Sequence, residues 1–312
     1  MSIESLNLSF SNKCPAQCVF CPPERGTNDP NFMKPDLVIR LMMEVTHENF
    51  PWKVKTIQIG ENGEALMSPY FITNLRIIRG YLPDAQINLT SNLFCLKKEQ
   101  AKSILEYASS LQLNIDGHDA ETYEAQKRIP YETVMEKFRM LMLLRKKLKP
   151  EFSIGVNVLP LSVYNDRVIK RFNQKPLQAP EHIPVSSYEQ VKTSLQQEEW
   201  ITEDVFIRES PSFFWAERKM KINFDLSEYQ CPQLPRIEKE AFISPSGWWY
   251  PCCFDSNQDQ AFNNLPLSDP KTFLVDIHNS VNRIHFIWAL KEKQFSEIGY
   301  PCNRVPFCKA VK

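Results

Sequence analysis

Glycine and long apolar stretches are scarce in this chain. Its 312 residues include 8 glycines against 23 prolines, which favours stiff loops. No run of about 18 apolar residues occurs, so the sequence predicts no membrane-spanning helix. The amino terminus lacks the basic start and apolar stretch of a secretory signal, so we expect a cytoplasmic protein.

An excess of one charge is also missing. Lysine plus arginine and aspartate plus glutamate number 37 each. Proteins that bind polyanionic nucleic acids usually carry a basic excess, so we expect no nucleic-acid partner. With 43% hydrophobic and 24% charged residues, the composition is that of a globular enzyme. The length of 312 residues predicts one large domain and a smaller one.

Cysteine is present in an informative pattern. The motif C-x3-C-x2-C is formed by Cys14, Cys18 and Cys21, with Phe20 directly before the last cysteine. Thiolates are the usual ligands of iron–sulfur clusters, and three of them leave one corner of a [4Fe–4S] cube open for a substrate or cofactor. A zinc site is the alternative, but it needs a fourth ligand, and the next cysteine is Cys95. The pattern favours a catalytic cluster.

Strand and helix patterns alternate along the first two thirds of the chain. Hydrophobic periodicity predicts strands over 6–10, 54–59, 86–89, 111–115 and 152–159. It predicts helices over 35–46, 70–81, 97–107, 120–127, 131–147, 165–172 and 187–197. This order predicts an α/β protein with a parallel sheet, whose chemistry gathers at the carboxyl ends of the strands.

The cysteine motif and its position resemble those of the radical S-adenosylmethionine (radical SAM) superfamily. In that family the open iron chelates the methionine end of S-adenosylmethionine, and an electron from the cluster cleaves the sulfonium to a 5′-deoxyadenosyl radical. The resemblance implies a catalytic [4Fe–4S] cluster on Cys14, Cys18 and Cys21. It also implies a partial (β/α)6 TIM-like barrel over residues 1–173, with a bridging segment at 174–222 that carries the last strand near 204–208.

Further motifs follow the predicted strands. The run 60–66 resembles the G-G-E-P element of the family, although Asn62 and Ala65 depart from it. The run 114–128 is similar to the family stretch S-x-D-G…D-A-E-T-Y…R. The resemblance implies cofactor contacts from Phe20, Gly63, Glu64, Ser91, Asn92, Asn114, Arg128 and Asn157. For the three asparagines, capping of strand ends is an equal alternative.

Asp116 has two interpretations. It lies at the end of a predicted strand, where it could accept a proton from a substrate in a catalytic role. It also lies shortly before the helix expected from residue 120, where an aspartate could cap the helix amino terminus. The cap is slightly favoured.

A second cysteine group lies near the carboxyl terminus. Cys231, the G-x4-C element ending at Cys252, and Cys302-x5-Cys308 resemble a SPASM/Twitch domain. The resemblance implies an α+β domain over 223–312, with one auxiliary [4Fe–4S] cluster on Cys231, Cys252, Cys302 and Cys308. A β-hairpin is predicted over 241–249 and a helix over 281–291. Cys253 is interpreted as a buried thiol, and a structural zinc site is the alternative for the group.

These patterns lead to an expected reaction. We expect hydrogen abstraction from a small molecule such as a sugar or cyclitol, followed by net oxidation, with an electron supplied by a flavodoxin- or ferredoxin-type reductant. A peptide-modifying enzyme is the first alternative. Such members of the family often carry a leader-binding domain before the barrel, and because the first predicted strand begins near residue 5, we expect none here. A non-catalytic iron–sulfur electron carrier is the second alternative.

Overall fold

The computed structural model describes most of the chain. The described residues are 2–19, 21, 32–159, 183–198, 201, 205–209, 231, 233–252, 261–263 and 266–294. The strands are β1 (Ser5–Leu8), β2 (Thr56–Ile59), β3 (Gln86–Ser91), β4 (Ser110–Asn114), β5 (Ser153–Val158), β6 (Val205–Glu209), β7 (Glu240–Ile243) and β8 (Trp249–Tyr250). The helices are α1 (Pro35–Val45), α2 (Phe71–Tyr81), α3 (Lys98–Tyr107), α4 (Ala120–Lys127), α5 (Tyr131–Leu148), α6 (Tyr188–Gln196), α7 (Leu234–Lys239), α8 (Leu274–His278) and α9 (Val281–Lys291).

The chain divides into two compact units. The first comprises 1–13, 24–88 and 218–312, and the second comprises 14–23 and 89–217. Strand β3 contributes its first three residues to one unit and its last three to the other. Among the helices within the described ranges, none is long and apolar enough to cross a bilayer.

The first unit is built on a mainly parallel sheet. Strand β1 pairs in parallel with β2 on one side and with β7 on the other, with Ser5 opposite both Thr56 and Glu240. All four residues of β1 are buried, as expected for a strand inside a covered parallel sheet. Helix α1, which starts at Pro35, packs its apolar face against α2.

The predicted hairpin near the carboxyl terminus is confirmed. Strands β7 and β8 pair antiparallel, with Phe242 opposite Tyr250 and Ile243 opposite Trp249. The parallel pairing of β7 with β1 was not predicted. It follows from the run Ala241–Ile243, which is buried throughout and therefore suits a covered position in the sheet.

The second unit carries the parallel strands β4, β5 and β6. The buried residues alternate along β4 and β5, so one face of these strands is apolar and packs inside, and the other is polar. Helix α3 packs on α5. The apolar face consists of Leu111, Leu113, Ile154, Val156 and Val158.

The sequence-based strands and helices that fall on described residues are present, with bounds shifted by at most two residues for the elements of the parallel sheet. The α/β fold with a parallel sheet is therefore confirmed. The helix expected over 165–172 lies outside the described residues. Two short helices, α7 and α8, were not predicted, because six and five residues give too little periodicity to recognise.

Candidate functional site

The cysteine motif lies on a loop that follows β1 in the sequence and is held by the end of α4. The backbone N–H of Gln17 donates to the Lys127 carbonyl at 3.2 Å, and that of Val19 donates to the Gln126 carbonyl at 3.0 Å. These bonds use carbonyls at the end of a helix, which have no partner within the helix itself. The three cysteines are half-buried: Cys14, Cys18 and Cys21.

Three ionisable side chains, Cys18, Lys127 and Asp116, interact closely at this loop. A hydrogen bond with Cys21 and burial raise the pKa of the Cys18 thiol well above its usual value, against the influence of Lys127. Burial alone would lower the pKa of Lys127, but Asp116 and Cys18 outweigh it and raise that pKa above its ordinary value. Lys127 therefore keeps its positive charge in the interior, beside the cysteine motif.

Asn92 also faces the motif. Its Nδ2 donates to Cys14 Sγ at 3.4 Å, and its Oδ1 accepts from the Phe94 N–H at 3.0 Å. Amide-to-sulfur hydrogen bonds are among the factors that set the reduction potential of an iron–sulfur cluster. The structure therefore places Asn92 against a cysteine sulfur, while its contact with the cofactor stays a prediction.

The donor set suits a cluster. Cys18 and Cys21 are close enough to hydrogen bond, so their thiolates would repel each other, and a bound cation relieves that repulsion. In the described part of the chain, no group of three His, Cys, Asp or Glu side chains is placed to hold a single metal ion. The donor chemistry of the motif, three half-buried thiols on one loop, is that of a [4Fe–4S] cluster with three protein ligands.

In the first unit, the loop after β2 lies against the residues that directly precede Cys14 in the sequence. The Glu64 N–H donates to the Lys13 carbonyl at 2.7 Å. Gly63 has φ +71°, and a Cβ there would collide with the Ser11 carbonyl. Glu64 is buried, and its Oε1 accepts from the Leu66 N–H at 3.1 Å, capping the short 3-10 turn Ala65–Met67. Gly63 is thus required by close backbone approach, while cofactor binding by this pair stays a prediction.

Asn62, which departs from the family's glycine, has a structural partner. Its Nδ2 donates to the Tyr250 hydroxyl at 3.0 Å, and the same hydroxyl lies 2.9 Å from Ser9 Oγ. All three side chains are buried. The asparagine therefore joins the loop after β2 to β8 within the first unit.

The remaining asparagines form a row across β4, β5 and β6. Asn157 lies between Asn114 and Arg208 in the strand register. Its Nδ2 donates to Gln112 Oε1 at 3.1 Å and lies 3.4 Å from Asn114 Oδ1, and its Oδ1 accepts from Arg208 Nε at 2.5 Å. Both asparagines thus take part in a row of side-chain hydrogen bonds across these strands, and their contact with a cofactor stays a prediction. Ser91 is buried, and its Oγ accepts from the Leu93 N–H at 2.9 Å.

The cap interpretation of Asp116 is wrong. The cap of α4 is Asp119, whose carboxylate accepts from the Thr122 N–H at 2.8 Å. Asp116 instead pairs with Lys127 and accepts from the Leu159 N–H at 2.6 Å. Arg128 follows α4 in the left-handed region, with φ +59°, and is exposed. A non-glycine residue in that region is uncommon and is often held at a functional position.

Of the second cysteine group, the structure describes two members. Cys231 and Cys252 are both buried and belong to the first unit. Cys253, Cys302, Cys308 and also Phe20 lie outside the described residues. The auxiliary cluster and its ligand set therefore stay predictions.

Sequence reasoning missed Lys127, Gln126 and Arg208. A lysine at the end of a helix ordinarily indicates a solvated cation that favours the helix dipole, so nothing in the sequence marks Lys127 as buried. Arg208 ends a predicted strand, and that position was the one available signal for a role at the carboxyl edge of the sheet.

These observations define a class: an α/β protein with a parallel sheet and a cluster-binding cysteine loop. The sequence model of the radical SAM superfamily matches residues 8–167, which are 160 of the 312 residues. The chain belongs to the radical SAM superfamily. Membership implies a [4Fe–4S] cluster and S-adenosylmethionine as cofactors.

Three comparisons illustrate the likeness. GTP 3′,8-cyclase of Sulfurovum sp. (strain NBC37-1) is 25% identical over 171 residues, which cover 54% of this chain and 49% of that protein. The chain thus spans about half the length of this curated relative. The structure of BtrN in complex with AdoMet and 2-DOIA has a TM-score of 0.54 at 13% identity, covering 95% of this chain and 91% of BtrN. The structure of Streptococcus suis SuiB bound to precursor peptide SuiA has a TM-score of 0.59 at 13% identity, covering 99% of this chain and 76% of SuiB. The two structural likenesses show a shared fold.

Proposed function

We propose that this radical SAM enzyme oxidises a small molecule, such as a sugar or cyclitol. A hydrogen atom of the substrate would pass to the 5′-deoxyadenosyl radical, a proton to water and an electron to an acceptor. The chain would form a partial (β/α)6 barrel with a Twitch-like domain over 223–312. The observation that carries the proposal is the cysteine loop, with its backbone fixed by α4 and with a buried cation beside Cys18.

The residues of the loop have defined tasks in this proposal. Cys14, Cys18 and Cys21 hold three corners of the cluster, Asn92 donates to the first thiolate, and Lys127 offsets negative charge at the second. When bound, the cluster and S-adenosylmethionine supply the reductive cleavage that yields methionine and the 5′-deoxyadenosyl radical. The protein's own contribution is to keep the thiolates in place and to neutralise their charge.

Cofactor recognition is proposed for a further set of residues. Arg128 is exposed, and its guanidinium suits the carboxylate of S-adenosylmethionine. Glu64 would accept from the amino group, with Gly63 allowing the close approach. The full proposed set is Phe20, Gly63, Glu64, Ser91, Asn92, Asn114, Arg128 and Asn157. Within it, Asn114 and Asn157 also take part in the hydrogen-bonded row with Arg208.

Net oxidation needs an acceptor for the electron that leaves the substrate radical. We propose that an auxiliary [4Fe–4S] cluster on Cys231, Cys252, Cys302 and Cys308 is that acceptor. The electron that starts each cycle would come from a flavodoxin- or ferredoxin-type protein. The burial of Cys231 and Cys252 suits a site that excludes water.

Peptide modification is the second candidate function. It is favoured by the shared fold with SuiB, whose structure contains the precursor peptide SuiA. A non-catalytic iron–sulfur electron carrier is the third hypothesis. It would keep its clusters but would not convert S-adenosylmethionine to 5′-deoxyadenosine.

The deciding experiment is anaerobic reconstitution of the full chain, with iron counted and 5′-deoxyadenosine assayed after dithionite and S-adenosylmethionine are added. We expect about eight irons per chain and formation of deoxyadenosine. Changing Cys14, Cys18 and Cys21 together to alanine should leave about four irons and abolish cleavage. Cys95→Ala, at another half-buried cysteine, is the matched control and should retain both. About four irons in the unaltered chain would remove the auxiliary cluster, and clusters without cleavage would favour the carrier.

A further inference from the structure

The polar face of β4, β5 and β6 carries a second group of side chains that the cysteine loop does not use. In the strand register, Gln112, Gly155 and Phe206 form one row. The next row along the strands is formed by Asn114, Asn157 and Arg208. Paired residues of a parallel sheet point to the same face, so these six positions make one continuous surface within the second unit.

Arg208 is the charged member of this surface. Its Nε donates to Asn157 Oδ1 at 2.5 Å and its Nη2 to Gln112 Oε1 at 2.7 Å. Both partners are neutral amides, and among the described residues no carboxylate pairs with this guanidinium. The side chain is therefore fixed in orientation while its charge is not neutralised, and a planar guanidinium in that state suits a carboxylate or a phosphate.

Phe206 lies beside Arg208 on the same face. Its residue is 62% exposed, although phenylalanine is usually buried. Opposite it stands Gly155, where an added Cβ would meet nothing nearer than the Phe206 carbonyl at 4.0 Å. An exposed aromatic residue beside a glycine with open space around it, next to an oriented cation, resembles the mix of apolar surface and few polar groups found in small-molecule sites.

We propose that this surface is a substrate subsite that takes a small organic anion. Arg208 binds the carboxylate or phosphate of the ligand, Gln112 and Asn157 hold the guanidinium in place, and Phe206 packs against the adjoining apolar or ring portion. That the ligand is the substrate rests on the proposed function. The inference narrows that substrate to molecules with an anionic group next to a ring or apolar segment.

The test uses the anaerobically reconstituted full chain and four probes: inorganic phosphate, phenyl phosphate, benzoate and phenol. Binding is followed by isothermal titration at low ionic strength. Phenyl phosphate should bind more tightly than phosphate, and phenol should bind weakest. The comparison of benzoate with phenyl phosphate decides which anion the site prefers.

The variants separate the contribution of the Arg208 charge to binding from that of the Phe206 ring. Arg208→Gln should weaken the binding of both aromatic anions by about tenfold or more, because a hydrogen-bonded charge is lost. Arg208→Lys should retain part of the affinity, and it keeps the test informative if the glutamine variant fails to fold. Phe206→Ala should abolish the advantage of phenyl phosphate over phosphate. Matched controls on α5 are Arg139→Gln, an exposed arginine, and Leu143→Ala, also 62% exposed; neither should change binding.

Three outcomes overturn the inference. The first is an equal loss of probe affinity in Arg208→Gln and Arg139→Gln, and the second is the absence of binding at millimolar probe concentrations. The third is displacement of phenyl phosphate by stoichiometric S-adenosylmethionine, which would make this surface a cofactor contact. Cleavage of S-adenosylmethionine by the unaltered chain is assayed in parallel. Cleavage without probe binding would refute the subsite and leave the proposed function intact. Probe binding without cleavage would refute the proposed function and leave the anion site.

Discussion

Lys127 Nζ lies 2.5 Å from Asp116 Oδ2, and the two side chains are only 3% and 1% exposed. Asp116 also accepts from the Leu159 N–H, so the carboxylate joins the end of α4 to the end of β5. Taking two charges out of water is costly, and the cost is recovered only while both partners are present. The pair therefore fixes the last turn of α4, whose carbonyls hold the cysteine loop.

Removing one partner of this pair should destabilise the protein strongly. We expect Lys127→Met to lower the free energy of unfolding by about 3 kcal/mol, because Asp116 is left charged and buried. Urea denaturation measures this change. The double variant with Asp116→Asn should be more stable than the sum of the single losses predicts. Lys102→Met, which removes a surface pair with Glu99 at 3.2 Å, should change stability by less than about 1 kcal/mol. Strict additivity of the two buried changes would contradict a direct interaction.

Asn92 should raise the reduction potential of the proposed catalytic cluster. A hydrogen bond to Cys14 Sγ stabilises the extra negative charge of the reduced state, so Asn92→Asp, which removes the donor and adds a charge, should make reduction harder. We expect a shift on the order of 50 mV toward negative potential, the equivalent of about 1 kcal/mol for one electron. Redox titration followed by electron paramagnetic resonance measures it. Asn49→Asp, at an exposed position, should leave the potential unchanged; an unshifted Asn92→Asp would exclude the tuning role.

The regular elements could be predicted because their signals are local. Helix α4 was predicted with the observed bounds, and the hairpin of β7 and β8 was predicted from its turn residues. Roles that depend on contacts between residues far apart in the sequence could not be predicted. Asp116 and Asp119 lie in one loop three residues apart. Asp119 caps α4 through a local contact with the Thr122 N–H, whereas the contact of Asp116 with Leu159 joins residues 43 apart and is shown only by the tertiary structure. Likewise, Lys127 is buried while the adjacent Arg128 is exposed, because the chain turns into the left-handed region between them.

The cap at Asp119 should give stability a dependence on acid pH. Hydrogen bonds from the backbone and hydroxyl of Thr122 lower the pKa of Asp119 below its usual value. A carboxyl whose folded pKa is depressed contributes stability that is complete above its unfolded pKa, about 3.9, and lost as the pH falls through the folded pKa. Asp119→Ala should cost about 1 kcal/mol at pH 7.

Urea midpoints measured between neutral and strongly acidic pH test this dependence. The difference between the unaltered chain and Asp119→Ala should shrink as the pH falls. Asp119→Asn keeps an acceptor for Thr122 and should cost less, with a difference from the alanine variant that does not change through the same range. A cost for Asp119→Ala that is constant with pH would show that the charge of the cap contributes nothing.

The Tyr250 hydroxyl should stabilise the first unit through Asn62 and Ser9. Tyr250→Phe leaves two buried polar side chains without this partner, so we expect the free energy of unfolding to fall by about 1–2 kcal/mol. Asn62→Ala alone should cost a similar amount, and the double variant should cost less than the sum, since the hydrogen bond between them can be lost only once. Tyr70→Phe, at an exposed tyrosine, is the matched control and should change stability by less than about 0.5 kcal/mol. Equal losses at the two tyrosines would mean that the shared hydroxyl has no special role, and the asparagine in the loop after β2 would then lack its structural explanation.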